Sequence, residues 1–206
     1  MGMFMPIKSL VLLTMLLLPL SIPQGDATAH SAVAEFTSDG QLRFPEHYRE
    51  WVYLSSGFDM SYDTTGAAMD HHMFDNVFVD PESYKAFLQN GTWPDKTMMV
   101  LEVRKAEGKG SINQKGNFQS GVMGVEVHVK DETRFAGKWA FYGFDEGKTA
   151  KVIPTSAACY TCHAAHAAVD TTFVQFYPTL MPLAQAKGTL SAAYKHENEK
   201  ATPGHK

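Results

Sequence analysis

Alternation of apolar and polar residues along the chain predicts strands with two different faces. The clearest example covers residues 122–129. One face carries Met123, Val125, Val127 and Val129. The other face carries Val122, Gly124, Glu126 and His128. Residues 98–103 and 139–144 predict two further strands, and the second is aromatic on both faces. A strand with two apolar faces is typical of a buried position, so we expect this one to be covered on both sides.

One helix has clear signals at both of its ends. Asp80 suits the N-cap, Pro81 suits the first helical position, and Gly91 follows the last apolar residue. Residues 76–79 predict the strand before it. Residues 55–70 are rich in Gly, Ser, Thr and Asp, which predicts a long loop.

The pattern changes from strand to helix in the last third of the chain. Pro154 begins a predicted helical segment, and Asp170 is the predicted cap of a second, shorter one. The whole pattern predicts an α+β, β-rich fold, in which an antiparallel sheet is combined with a few helices and a C-terminal helical segment. We expect one domain over residues 30–185 and a polar, flexible tail over residues 186–206.

The first 29 residues have the composition of a signal peptide. Lys8 precedes a run of mostly Leu, Val and Met, and small residues lead up to Ala29. The apolar run is shorter than the roughly 20 residues of a spanning helix, although an uncleaved anchor is the alternative. The sequence therefore predicts a periplasmic protein without a stable membrane anchor after cleavage.

Charge and cysteine content narrow the classes of partner and cofactor. The formal net charge of -4 gives no reason to expect nucleic acid as a partner. The only two cysteines of the chain are Cys159 and Cys162. With His163 they form the sequence CYTCH, which has the C-x-x-C-H spacing of c-type haem attachment.

This motif predicts one covalently attached haem c per chain. Cys159 and Cys162 would form the thioether bonds, and His163 would be the metal ligand. A redox C-x-x-C motif and half of a zinc site are the alternatives. A zinc site of this kind needs a second Cys/His pair at matching spacing, and His166 is too close to His163 to supply it. We expect His166 on a helix surface.

The residue on the other side of the iron would decide between a ligand-binding protein and an electron carrier. Candidate sixth ligands are Met98, Met99, Met123, His71, His72 and His128. None has a spacing that marks it as a ligand. His128, next to Lys130 and Asp131, is predicted to lie at the surface.

A series of sequence blocks between residues 44 and 180 resembles the cytochrome P-460 and cytochrome c-prime-beta family. The blocks are FPEHYREWV, FDNVFVDPESYKAFLQNGTWPDKT, GVEVHVKD, RFAGKWAFYGF, CYTCH and TFVQFYPTL. The resemblance implies a β-rich monohaem protein, commonly a homodimer, with a five-coordinate high-spin iron. It also implies the roles given above for His163, Cys159 and Cys162.

Leu101 marks a departure from one branch of this family. In the cytochrome P-460 branch, which oxidises hydroxylamine, a lysine on the strand after the D-x-T turn bonds to the porphyrin. The matching position after Asp95 and Thr97 is Leu101, which cannot form that bond. The departure favours the c-prime-beta branch, whose apolar pocket binds nitric oxide and other diatomic molecules. Leu101 is therefore a candidate cofactor-binding residue.

Glu126, in contrast to Leu101, favours the cytochrome P-460 branch. It matches a distal carboxylate that the resemblance implies as a proton acceptor during hydroxylamine oxidation, which makes Glu126 the candidate catalytic residue. The alternative is that Glu126 lies with His128 on a solvated face of the strand. Phenylalanines are candidates to cap the distal pocket. These are Phe58, Phe74, Phe78 and Phe118.

Three functions therefore follow from the sequence. The first is binding, scavenging or sensing of nitric oxide by a haem with an open iron site. The second is a haem oxidoreductase that oxidises hydroxylamine or nitric oxide with Glu126 as proton acceptor, and it implies a periplasmic cytochrome as redox partner. The third is a six-coordinate electron-transfer cytochrome.

Overall fold

The computed structural model describes Met1 and residues 33–61, 72–145 and 147–201. Apart from Met1, the predicted signal peptide lies outside these ranges. Within them, no helix combines the length and the apolar character that a membrane crossing requires.

Five antiparallel strands form the main sheet in the order β2-β3-β4-β5-β6, so each strand pairs with its neighbour along the chain. Their bounds are β2 Val52–Phe58, β3 Met73–Val79, β4 Met98–Glu107, β5 Phe118–Lys130 and β6 Trp139–Phe144. The short strands β1 Leu42–Arg43 and β7 Thr149–Ala150 form a second sheet. The helices are α1 Pro81–Asn90, α2 Ala158–His166, α3 Met181–Lys187 and α4 Ala192–Ala201. The predicted β-rich α+β fold is confirmed.

Both faces of the main sheet are covered. On one face, Val125 and Val127 pack in a buried cluster with Tyr142. On the other, Met99 packs in a second cluster with Leu180 from the C-terminal segment. Because successive residues of a strand point to opposite faces, each central strand supplies side chains to both interiors. The second interior contains the candidate site.

Helix α1 has the predicted caps. One carboxylate oxygen of Asp80 accepts a hydrogen bond from the Ser83 N–H at 2.8 Å, and the other accepts from the Met98 N–H at 2.9 Å. Gly91 ends the helix with a φ of 73°, a conformation that glycine adopts without steric cost. Asp80 therefore joins the start of α1 to the start of β4.

The predicted loop over residues 55–70 is wrong at its start, since residues 55–58 belong to β2. These residues have weak strand propensity, but pairing with β3 satisfies their backbone groups. The Ser56 hydroxyl also donates to the Asn76 side-chain oxygen at 2.9 Å across the two strands. Residues 62–70 lie outside the described ranges.

The predicted flexible tail is also wrong over residues 192–201, which form α4. Ser191, just before the helix, donates from its backbone N–H to the Ala168 oxygen at 2.8 Å and from its hydroxyl to the Ala167 oxygen at 2.7 Å. Tyr194 packs against the buried cluster that contains Met99. These contacts dock a polar segment whose composition alone predicts disorder.

Two predicted helix starts differ from the structure. The helix with the CYTCH motif begins at Ala158 and not at Pro154. Asp170 caps no helix, because the following 3₁₀ turn, Val174–Phe176, begins after Phe173. Asp170 instead has a φ of 53° and accepts hydrogen bonds from distant residues, which local sequence patterns do not reveal.

Candidate haem-binding site

A cavity of about 370 Å³ lies between the main sheet and the C-terminal segment. Strands β2 to β6 supply one wall. Residues of the C-terminal segment that line the cavity are His163, Thr172, Phe173, Phe176 and Tyr177. The volume is within the range of small-molecule and cofactor sites.

Strand register brings two of the candidate residues together on the sheet wall. Leu101 is paired with Val77 on β3 and with Glu126 on β5. All three residues line the cavity. The neighbouring row places Met99 opposite His128, and His128 opposite Phe141. The cavity wall is therefore largely apolar, with Glu126 beside Leu101.

His163 lines the same cavity from helix α2. Its Nδ1 lies 2.7 Å from the Thr171 carbonyl oxygen. A carbonyl oxygen only accepts hydrogen bonds, so Nδ1 carries the proton and Nε2 retains the lone pair needed to bind a metal. Burial lowers the pKa of His163, which favours the neutral imidazole. Both features fit an axial haem ligand.

Helix geometry puts the two cysteines beside this histidine. Cys159 lies four residues before His163 and three before Cys162, and side chains at these two spacings share a helix face. Cys162 is the neighbour of His163 in the sequence. Both thiols are free and partly buried. The donor set of one neutral imidazole and two adjacent thiols fits a haem attached along α2.

Tyr160, inside the motif, anchors α2 to the sheet. Its hydroxyl donates to the Ile153 oxygen at 3.0 Å and accepts from the Phe141 N–H at 3.3 Å. Its ring also contacts Phe141 edge-to-face. The sequence gives no signal for this role, because both hydrogen-bond partners are backbone groups outside the helix.

Two carboxylates line the cavity. Glu126 is exposed to solvent, but the surrounding protein raises its pKa, mainly by desolvation and then by the negative charge of Asp75. Desolvation, followed by the charge of Asp59, also raises the pKa of Asp75. The predicted alternative placed Glu126 with His128 on a solvated face of the strand. Glu126 is exposed, as that alternative requires, but it lines the cavity and His128 is buried. Asp75 was not identified from sequence. The signal that could have found it is its position two residues before Val77 on β3, which puts both side chains on the same face of the sheet.

His128 is not at the surface, contrary to the prediction. It is 9% exposed, and its ring stacks on Phe141 and lies edge-to-face with His163 at 5.4 Å. Burial, followed by the charge of His163, lowers the pKa of His128 well below its usual value. Lys130 and Asp131, the charged residues from which the surface position was predicted, are buried as well. Charged neighbours in the sequence therefore did not indicate exposure here.

The other candidate sixth ligands take different positions. Met99 lines the cavity, but Met98 is buried in the cluster on the opposite face of the sheet. Met123 and His72 are exposed, and His71 lies outside the described residues. Met60 and Met73 line the cavity and were missed, because neither has a spacing that distinguishes a ligand from a core residue.

The four phenylalanines proposed as pocket caps do not line this cavity. Phe58 and Phe118 are exposed, Phe74 contacts Phe58, and Phe78 packs on the opposite face of the sheet. The aromatic residues that line the cavity are Phe141, Phe173, Phe176 and Tyr177. As predicted, His166 is on the helix surface, where its Nδ1 lies 3.1 Å from Glu197 of α4.

Within the described ranges, no three His, Cys, Asp or Glu side chains are grouped as ligands of one metal ion. A β-rich fold, a partly buried imidazole that faces a cavity, and two thiols on the same helix fit the class of haem-binding proteins.

The comparisons agree with this class. A family model described as Cytochrome P460 matches residues 45–174, which is most of the chain, so the protein belongs to the cytochrome P460 family. The expected resemblance is thereby confirmed, and haem is the cofactor that the family implies. A search of curated proteins gave no match.

Proposed function

We propose that the protein is a periplasmic cytochrome whose haem binds small uncharged ligands such as nitric oxide. One observation carries the proposal: His163 lines the same cavity as Leu101. An imidazole in this position suits one axial side of a haem, while the apolar wall around Leu101 suits neutral diatomic molecules.

The proposed attachment is that of one c-type haem per chain. Cys159 and Cys162 would form the thioether bonds, and His163 would hold the iron through Nε2. Bound haem would supply an iron that can bind a small molecule. The Thr171 carbonyl fixes the tautomer of His163, and the Tyr160 hydroxyl holds α2 against the sheet.

Apolar side chains on β3 and β4 would determine which ligands enter. Leu101, Val77 and Val103 line the cavity without offering a hydrogen-bond donor. An anion would lose its hydration at this wall without compensation, whereas a neutral diatomic molecule has little hydration to lose. This reasoning favours nitric oxide over nitrite.

A second candidate function is oxidation of hydroxylamine or nitric oxide. The specific observation in its favour is that Glu126 lines the cavity and has a raised pKa. Oxidation of an N–H or O–H compound releases protons together with electrons. The Glu126 carboxylate would accept a proton, and a periplasmic cytochrome would accept the electrons.

Export and assembly are also part of the proposal. The signal-peptide composition of residues 1–29 supports a periplasmic location without a stable anchor. Membership of the family supports a homodimer. Cell fractionation and the molecular mass of the purified protein in solution test these two points independently of the haem.

Optical spectra of the purified ferric and ferrous protein test the function. A high-spin spectrum in both states that changes on addition of nitric oxide but not of hydroxylamine is the expected result. Reduction of an electron acceptor by hydroxylamine would favour the second function. A low-spin spectrum in both states would contradict both and would indicate a sixth protein ligand.

A further inference from the structure

The carbonyl that hydrogen-bonds to His163 belongs to Thr171, in a tight turn after helix α2. The residues on both sides of Thr171 are held by groups that are distant in sequence. These groups are Thr92, Trp93 and Lys130.

Thr172 is held from one direction. Its hydroxyl oxygen accepts a hydrogen bond from the Trp93 indole N–H at 2.7 Å and donates to the Val169 carbonyl at 2.8 Å. Trp93 is itself 1% exposed and packs against Phe87 of α1. Rotation of Thr172 would leave a buried indole N–H without an acceptor, which is costly.

Asp170 is held from the other direction. Its carboxylate accepts hydrogen bonds from Lys130 Nζ at 3.4 Å and from the Thr92 hydroxyl at 3.1 Å. Asp170 adopts a φ of 53°, which an L-residue rarely keeps unless its surroundings fix it. The backbone on both sides of the Thr171 carbonyl is therefore constrained.

Lys130 connects these constraints. It is 6% exposed, and Nζ donates to the Trp93 carbonyl at 2.7 Å as well as to Asp170. Its Nζ also lies 3.6 Å from a Glu132 oxygen and over the Trp139 ring. A buried ammonium group persists only with such partners. Lys130 thus ties β5 to the turn before β4 and to the turn with Thr171.

We propose that Lys130 is a positioning residue for His163, acting through Asp170 and Trp93 on the Thr171 carbonyl. This inference rests on the proposed role of His163 as the haem ligand. A hydrogen bond from Nδ1 to a well-placed carbonyl makes the imidazole a stronger electron donor and fixes its ring orientation. Lys130 therefore lowers the reduction potential of the haem from outside the cofactor site.

The test compares full-length holoprotein carrying Lys130→Met with Lys130→Arg and with Lys138→Met. Methionine keeps an unbranched side chain without the charge, and arginine restores the charge. Lys138 is the matched control, because it pairs with the same Glu132 at 3.5 Å but lies at the surface. The measurements are the reduction potential and the iron–histidine stretching frequency of the ferrous protein by resonance Raman spectroscopy.

Lys130→Met is expected to raise the potential and to lower the stretching frequency, while Lys130→Arg restores both in part and Lys138→Met changes neither. Wild-type values in Lys130→Met would overturn the proposal. If Lys130→Met does not fold, Asp170→Asn replaces it in the test, because Asp170 is partly exposed. Asp170→Asn is expected to shift the potential and the stretching frequency in the same directions, but by less. Unchanged values in Asp170→Asn would then overturn the proposal.

Failure of the underlying function gives a different result. If His163 is not the ligand, the wild-type protein shows either no iron–histidine band or a band that remains in His163→Ala. If only the positioning role fails, the band is present and has the same frequency in all variants.

Discussion

Leu101 and Glu126 lie directly opposite each other on β4 and β5, and both line the cavity that contains His163. An apolar side chain and a carboxylate with a raised pKa thus share one wall. The first suits binding of a neutral ligand, and the second suits proton transfer during oxidation. Substitutions at these two positions separate the two proposed functions.

Replacement of Leu101 by lysine tests the match between this strand and the family's cross-linking lysine. Because Leu101 faces the cavity, an amine at this position is expected to reach the porphyrin edge, and the optical spectrum of the haem should broaden and shift to the red. Leu101→Met is the control for side-chain volume and should leave the spectrum unchanged. An unaltered spectrum in Leu101→Lys would contradict the alignment at this position.

Replacement of Glu126 by glutamine tests the second function. Hydroxylamine-dependent electron transfer should fall by about 10²- to 10⁴-fold, the usual contribution of a proton acceptor, while carbon monoxide binding remains normal. Glu107→Gln, an exposed glutamate on β4, is the matched control. Persistent turnover in Glu126→Gln would mean that another group accepts the proton.

Asp75→Asn is expected to change the pH dependence of that same activity. Glu126 accepts a proton only when ionised, so activity rises with pH through its pKa. The negative charge of Asp75 raises the pKa of Glu126, and its removal should move the acidic limb of the pH profile to lower pH. A limb at the wild-type pH would show that Asp75 does not act on Glu126.

Covalent haem attachment is tested by single and double replacement of Cys159 and Cys162 by alanine. Each single variant should retain haem on a denaturing gel through its remaining thioether, and the double variant should lose it. Tyr160→Phe is the control within the motif, since it keeps both thiols. Haem that stays covalently bound in the double variant would require a different attachment residue.

Glu102→Gln tests the stability of the opposite face of the sheet. Glu102 is 2% exposed and accepts hydrogen bonds from Tyr48, Arg49 and Arg104. Burial by itself raises the pKa of Glu102, but these hydrogen bonds outweigh it and lower the pKa to about 2. Glu102→Gln should lower the free energy of unfolding by about 3 kcal/mol at neutral pH. This value is at the low end for a broken buried ion pair, because Arg49 is half exposed.

The pH dependence of this effect has a defined sign. The carboxylate has a lower pKa when folded than the ordinary value of 4.5, so it stabilises the fold above about pH 4.5 and this contribution disappears as the pH falls toward 2. Urea denaturation should therefore show a difference between wild type and Glu102→Gln that shrinks in acid. A difference independent of pH would indicate a packing defect instead.

Local patterns in the sequence determined much of this protein. The caps of α1 and the alternation of β5 each depend on residues that are close together in the chain, so both were correctly placed from sequence. The CYTCH motif also indicated the haem class that the family match supports.

Only the tertiary structure decided which groups meet across the sheet. His128 is buried because the C-terminal segment covers its face, and α4 is ordered because Ser191 bonds to Ala167 and Ala168. The Thr171 carbonyl and Lys130 join elements far apart in sequence. Such contacts leave no periodic signal, because each depends on how separate elements pack and not on the residues next to it in the chain.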